Sequence, residues 1–389
     1  MSFTDFESQL HQWRHSLHAN PETGFEEVST SEYIAQQLEK MGLNVHRGLG
    51  GTGLVASLTV GDNPTVIGLR ADMDALNITE TTGKDYCSKN HGKMHACGHD
   101  GHMTMLLGAA KLLTEKKDFN GTVRFVFQPA EEHGRGAKAM MADGLFEKFP
   151  IDEFYGVHNW PGLPAGSIST RVGGIMGSED NFEIKIKGKG THAARPHMGK
   201  DPLVIAAEII LALQTIISRN LDPGMPAVIS CTEIHTDGIR NAIPTNVVIT
   251  GDTRSYSPDV QNMLENRMRK ICESICAMHD AECEFTYTHE FSPTVNDEKC
   301  VQTAIRAARN VVGDSNVDSN VTPMMVSEDF GAFIDKVPGC FAFIGNGVEE
   351  EGKGFTPLHN SNYDINDDIL AIGANYFAEI VRIKLPVSQ

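Results

Sequence analysis

Four short segments of this 389-residue sequence concentrate side chains that bind metal ions or move protons. HACGHDGH (95–102) offers Cys97, His99, Asp100 and His102 within six residues. Thiolate and imidazole are good ligands for zinc and other late divalent ions. FQPAEEHGRG (127–136) sets Glu131 beside Glu132 just past an apolar run. Neighbouring carboxylates in extended chain point in different directions, so one can hold a metal while the other faces a water as general base. His158 ends the apolar run of YGVHNWP (155–161), and His359 lies in the polar stretch TPLHNSNYD (356–364). Taken singly, each segment has a plain structural reading: a buried Cys beside helix-capping His residues, a solvated acidic loop, a core His. Together they supply thiolate, imidazole and carboxylate with one Glu to spare, enough for two divalent ions about 3.5–4 Å apart. Asp72 and Asp74, in TVIGLRADMDAL (65–76), either orient a ligand from behind or are loop carboxylates.

The elements that must position these groups are legible as periodicity. LVASLTV (54–60), TVIGLRA (65–71), TVRFVFQ (122–128) and EFYGVHNW (153–160) read as strands, the first two joined as a hairpin through Gly61-Asp62-Asn63-Pro64. Helices are expected up to His18, from Ser29 to Gly42, over 101–115 and over 134–144. Strand–helix alternation implies a mixed, mostly parallel sheet covered on both faces, with ligands at the strand ends. Near residue 177 the pattern becomes βαββαβ: strands 181–189, 227–235, 246–256 and 282–291, with helices 201–220 and 258–279. That is a ferredoxin-like split βαβ unit. From Asp297 the first pattern resumes, with helices 297–312 and 327–335, the strand GCFAFIGN and a final helix from Asp367. The expected organisation is a discontinuous α/β domain, 1–176 with 293–389, interrupted by an α+β domain at 177–292.

Composition narrows the function further. Lys and Arg number 33 against 51 Asp and Glu, a net charge of −18, which disfavours nucleic acid. The longest apolar stretch, 203–217, contains Glu208 and Gln214 and is too short and polar to span a bilayer. Eight cysteines without a CxxC pair, Cys272 and Cys276 read as core, and a polar N-terminal stretch point to a reduced, cytoplasmic protein.

The chain resembles the amidohydrolase branch of the M20 metallopeptidase family, the group of hippurate hydrolases, N-acyl-amino-acid amidohydrolases and plant auxin-conjugate hydrolases. The matching stretches run in order from HANPETGFEE (18–27) through RADMDALNI (70–78), HACGHDGHM (95–103), FQPAEE (127–132), GVHNWPG (156–162), GKGTHAARPH (188–197), DPLVIAA (201–207), NAIPTNVVITGDTRS (241–255) and SEDFG (327–331) to LHNSNYD (358–364). The resemblance implies that Cys97, His99, Glu132, His158 and His359 ligate two divalent ions per subunit and that Glu131 is the general base. It makes the inserted domain a lid through which subunits form a homodimer or homotetramer. His192 of the lid would then polarise the scissile carbonyl in a partner's active site. Asn241 would touch substrate, also across the dimer. Arg254 would either pair with the substrate carboxylate or form a strand-end salt bridge. Most peptidase branches carry H-x-D and a separate bridging Asp where this chain has Asp72-Met73-Asp74, and the resemblance implies that Cys97 takes over bridging. A thiolate bridge favours Zn, Co or Ni, although the branch also uses Mn. The implied reaction is amide hydrolysis of N-acetyl, benzoyl or related aryl-acyl amino acids. A dipeptidase or aminopeptidase of the same family is the nearest alternative. A cysteine hydrolase using Cys97 and His99, and a non-catalytic binding protein on the same fold, are the others.

Overall fold

The structure, a computed structural model, describes residues 3–387. The chain forms two compact units. One comprises the chain up to Ile175, Val295–Thr322 and the part from Asp329 onward; the other comprises Met176–Thr294 and Pro323–Glu328. The short segment 323–328 joins the second unit because Gly177 donates its N–H to the carbonyls of Met324 and Val326, and Arg254 bonds Ser327.

The first unit is built on an eight-stranded sheet in the order Asn44–Leu49, Gly53–Val60, Gly121–Gln128, Val66–Asp72, Glu153–Pro161, Gly339–Gly347, Ile168–Ser169, Val317–Asp318. The four central strands run parallel. They are buried along almost their whole length, as expected of strands with helices on both faces. The expected hairpin does not form. Gly121–Gln128 inserts between its two strands, antiparallel to Gly53–Val60 and parallel to Val66–Asp72. The cause is burial: Ile67–Asp72 is enclosed on both faces, which demands a central place with a ladder on each side. The Gly-Asp-Asn-Pro turn is pinned instead by Asn120, whose side-chain oxygen accepts the N–H groups of Asp62 and Asn63.

Helix His99–Lys116 is buried for most of its length and crosses helix Leu370–Lys384 closely. A Cβ on Gly108 would lie 2.7 Å from Ala374 Cβ, so only glycine permits this approach. The helix expected over 327–335 is shorter, Phe330–Ile334.

The second unit has four antiparallel strands in the order Ala227–Thr236, Asn246–Ser255, Glu179–Lys187, Glu282–Phe291. With helices Pro202–Thr215 and Pro258–Met278 in the crossovers, this is the split βαβ topology. Asp201 caps the first helix through the Leu203 N–H at 2.9 Å, with Pro202 in its first turn. That helix continues as a π-turn to Asn220, and by length and composition the stretch Pro202–Asn220 would suffice to cross a membrane. Here Ile205, Ile209, Leu213 and Ile216 are spent instead on the unit's own core, against Ile184, Ile186, Val247 and Ile249. Cys272 and Cys276 are buried in the same core.

Candidate metal centre and active site

The parallel strands deliver Asp72, Gln128 and His158 to one edge of the sheet, where helix His99–Lys116 begins. Gly98, between Cys97 and His99, has φ +92°, and a Cβ there would lie 2.2 Å from Asn159 Oδ1. Glycine therefore makes the turn that brings the ligand atoms of Cys97 and His99 within 4.8 Å of each other. Cys97 Sγ lies 3.4 Å from His158 Nε2, while His158 Nδ1 donates to the Asn159 carbonyl at 2.7 Å. His99 Nδ1 donates to the Asp74 carbonyl at 2.8 Å. That bond aims His99 Nε2 at carboxylates: Asp72 Oδ2 at 3.8 Å, Glu131 Oε2 at 3.9 Å and Glu132 Oε1 at 3.9 Å. His359, held at φ +61°, brings its Nε2 to 3.4 Å from Glu132 Oε1. Non-glycine residues at positive φ cluster where function over-determines the backbone.

Five side chains distant in sequence thus converge. The potential ligand atoms of Cys97, His99 and His158 lie within 4.8 Å of one another, as do those of Cys97, Glu132 and His359, and of His99, Glu131 and Glu132. The donor set fits divalent metal on an independent observation. His99 Nε2 and Glu132 Oε1 are buried, yet neither has a hydrogen-bond partner among the described residues. Buried polar atoms in native proteins are satisfied, and a cation held between them would satisfy both.

The electrostatics agree. Burial, then the charges of Glu132, Glu131 and Asp72, push the Cys97 thiol well above its ordinary value. Burial opposes charge on His99, but Asp72 and Asp74 outweigh it and raise the imidazole to about 10. Burial and the neighbouring His102 hold His158 well below its usual range. The surrounding carboxylates thus favour positive charge on His99. A divalent ion held by these residues would displace the His99 proton and favour the Cys97 thiolate.

A supporting layer holds these groups in place. Asp72 accepts from His102 Nδ1 at 2.7 Å and Arg70 Nη1 at 2.7 Å, and Arg70 Nε donates to Gln128 at 2.8 Å. Burial would raise the Asp72 carboxyl, but the charges of His99, Arg70 and His102 keep it well below the usual range. The Asp74 carboxylate accepts the N–H groups of Glu131 and Glu132, each at 3.1 Å. Asp72 and Asp74 thus make the hydrogen bonds that an orienting role requires. Arg70 had no assigned role. Its signal was a charged residue inside an otherwise apolar strand. His102 had one too: it sits three residues after His99, on the same helix face.

Asp100, grouped with the ligand candidates by spacing, turns away. It pairs with His18 Nδ1 at 2.8 Å and Arg14 Nε at 3.3 Å. Burial works against the charged form of His18, but its bonds to Asp100 and Glu80 prevail and raise it to about 9. Because the folded value lies above the unfolded 6.5, this contribution to stability is complete below pH 6.5 and is lost as pH rises through about 9. Thermal melts from pH 6 to 9.5 should therefore show wild type losing stability more steeply than His18→Gln; parallel curves would refute the linkage.

The remaining sequence candidates lie in the second unit. Thr191–His192 pairs antiparallel with Ala242–Ile243, and Ala193 donates to the Asn241 carbonyl at 3.0 Å, so His192 and Asn241 are exposed neighbours. Arg254 is engaged by Glu179 at 2.9 Å, Asp252 at 2.8 Å and Ser327 at 2.6 Å.

A mostly parallel α/β sheet that gathers thiol, imidazole and carboxylate near its strand ends, beside a second carboxylate, defines a hydrolase-type site with a donor set suited to divalent metal. Residues 68–383 match the model of peptidase family M20/M25/M40, and the chain belongs to that family as one of its hydrolases. A hippurate hydrolase of Campylobacter jejuni is 39% identical over 376 residues, covering 97% of this chain and 96% of that one. An N-acetylcysteine deacetylase of Bacillus subtilis is 35% identical over 383 residues, covering 98% of each. A solved dinuclear metal-binding M20 peptidase of Bacillus subtilis superposes with a TM-score of 0.86 at 32% identity, covering 98% of this chain and 99% of its own.

Proposed function

We propose that this protein hydrolyses the amide bond of N-acyl amino acids, with acetyl, benzoyl or related aryl-acyl groups, to a carboxylic acid and a free amino acid. One observation carries the mechanism: the paired glutamates are differentiated. Glu132 groups with Cys97 and His359, whereas Glu131 does not, although both lie 3.9 Å from His99 Nε2. Cys97, His99, Glu132, His158 and His359 would hold two divalent ions (Mn, Zn, Co or Ni). Such ions lower the pKa of water toward about 7 and polarise a carbonyl. Glu131 takes the proton of the attacking water and passes it to the leaving amine. His192 donates to the carbonyl oxygen as it becomes an oxyanion, a contact worth about 3–4 kcal/mol. Asn241, its neighbour, contacts substrate. Arg254 takes the substrate carboxylate only by exchanging it for Glu179 or Asp252, so its part is the smallest.

The acting form in this proposal is a homodimer or homotetramer assembled through the second unit. Leu203, Val204 and Leu211 are exposed on helix Pro202–Thr215, and Val228 and Ile234 on the sheet's edge strand. An apolar helix face beside an unpaired edge strand is a surface that a second copy covers. The eight free thiols suit a reducing cytoplasm.

The test is hydrolysis of hippurate, N-acetyl amino acids, indole-acetyl conjugates and dipeptides. Cleavage of acyl amino acids supports the proposal, and cleavage of dipeptides alone transfers the protein to the peptidase side. Mixing the inactive variants Glu131→Gln and His192→Ala, with subunit exchange, should restore about a quarter of wild-type activity, because half the dimers are mixed and each carries one intact site. No recovery would remove His192 from the partner's active site.

A further inference from the structure

We propose that Glu27 is a positioning residue for the catalytic turn, its buried carboxylate fixing the backbone that presents Glu131. The inference rests on Glu131 being the general base. Ala130, immediately before Glu131, has φ +48° and ψ 45°, a conformation an alanine rarely adopts. Two carboxylates hold the three successive N–H groups of this turn: Glu27 Oε1 accepts from Ala130 at 2.8 Å, and Asp74 accepts from Glu131 and Glu132. Glu27 is fully enclosed, and its other oxygen accepts the Thr52 hydroxyl at 2.6 Å.

Helix capping does not account for this burial. Glu27 stands at the N-cap of helix Val28–Lys40, yet its side chain makes no capping bond. Glu22 does that work, accepting from Ser29 N–H at 3.2 Å and Thr30 N–H at 2.8 Å. The same loop is tied to the Asp74 segment, since Ala75 donates to the Glu22 carbonyl at 2.8 Å. Glu27 is thus left free of the helix and committed to the turn. A buried carboxylate is costly unless its hydrogen bonds are strong, and here one of them restrains a strained residue next to the catalytic glutamate.

Three variants test this on the full-length, metal-loaded protein with hippurate or the best acyl amino acid. Glu27→Ala should lower kcat by about 30- to 100-fold with KM nearly unchanged, the scale of a misplaced catalytic group. Its metal content should hold, and hydrogen exchange should accelerate in the segment 129–136. Glu27→Gln keeps the acceptor for Ala130 and should recover most of that loss. Ala130→Gly in the Glu27→Ala background should recover part of it, because glycine adopts the turn unaided. Wild-type kcat in Glu27→Ala, a Gln variant as impaired as Ala, or no recovery from Ala130→Gly would each overturn the proposal. Should Glu27→Ala not fold, Thr52→Val, which removes one bond from Glu27, should lower kcat by about threefold or more, and no change would refute it. Failure of the underlying reading is separable: Glu131→Gln would then stay active whatever the Glu27 variants did.

Discussion

Glu131→Gln should lower kcat by about 10²- to 10⁴-fold while metal content and KM stay close to wild type, the range supplied by a positioned general base. The geometry separates this residue from its neighbour. Glu132 lies 3.4 Å from His359 Nε2 and shares a ligand-sized space with Cys97, so Glu132→Gln should instead lose metal. Glu131 has its backbone N–H held by Asp74, and its carboxylate groups with His99 and Glu132 rather than with Cys97 and His359. Gln keeps the shape and removes the proton acceptor. Metal analysis alongside steady-state kinetics decides the matter: an active Glu131→Gln, or one that has lost its metal, would reverse the two assignments.

Chelation should abolish hydrolysis, and adding Mn, Zn, Co or Ni should restore it to differing extents. The physical reason is the unsatisfied pair, His99 Nε2 and Glu132 Oε1, in a cavity whose carboxylates favour positive charge. A readout independent of turnover follows by mass action. Metal at about 100 times its Kd should stabilise the fold by about 2.7 kcal/mol per site, seen as a rise in Tm. Metal should also shield Cys97 from alkylation. The same experiment tests the cysteine-hydrolase alternative. Burial and the surrounding carboxylates push the Cys97 thiol up, the reverse of the electropositive setting that activates a nucleophilic cysteine, and the imidazole within hydrogen-bond reach of its sulfur is that of His158. Full activity in metal-free protein, lost on alkylating Cys97, would establish that alternative instead.

Much of the site was legible because its candidate ligands lie in short segments at element boundaries, where spacing and residue type are themselves informative. The ligand, base and lid expectations came from resemblance; the convergence of the five candidate side chains came from the fold. Asp100 shows where spacing misleads. It lies one residue from His99, yet the first turn of a helix points successive side chains in different directions, and Asp100 goes to His18 and Arg14. The Gly61–Pro64 turn misled in the same way. Turn chemistry is local, whereas strand pairing is decided by which strand must be buried on both faces, and that placed Gly121–Gln128 between the two expected partners.

The sequence by itself determined the alternation of elements, the split βαβ pattern of the second unit and the chemical inventory of the site, because periodicity and residue type are properties of short windows. Only the tertiary structure decided which carboxylate faces Cys97 and His359 and which ring nitrogen of His99 faces the cavity. It alone brought Arg70 and His102 onto Asp72 and the Glu27 carboxylate onto the Ala130 N–H. Those facts depend on hydrogen bonds between segments dozens to hundreds of residues apart, such as Glu27 with Ala130 and Arg70 with Asp329, and no local pattern encodes such a bond.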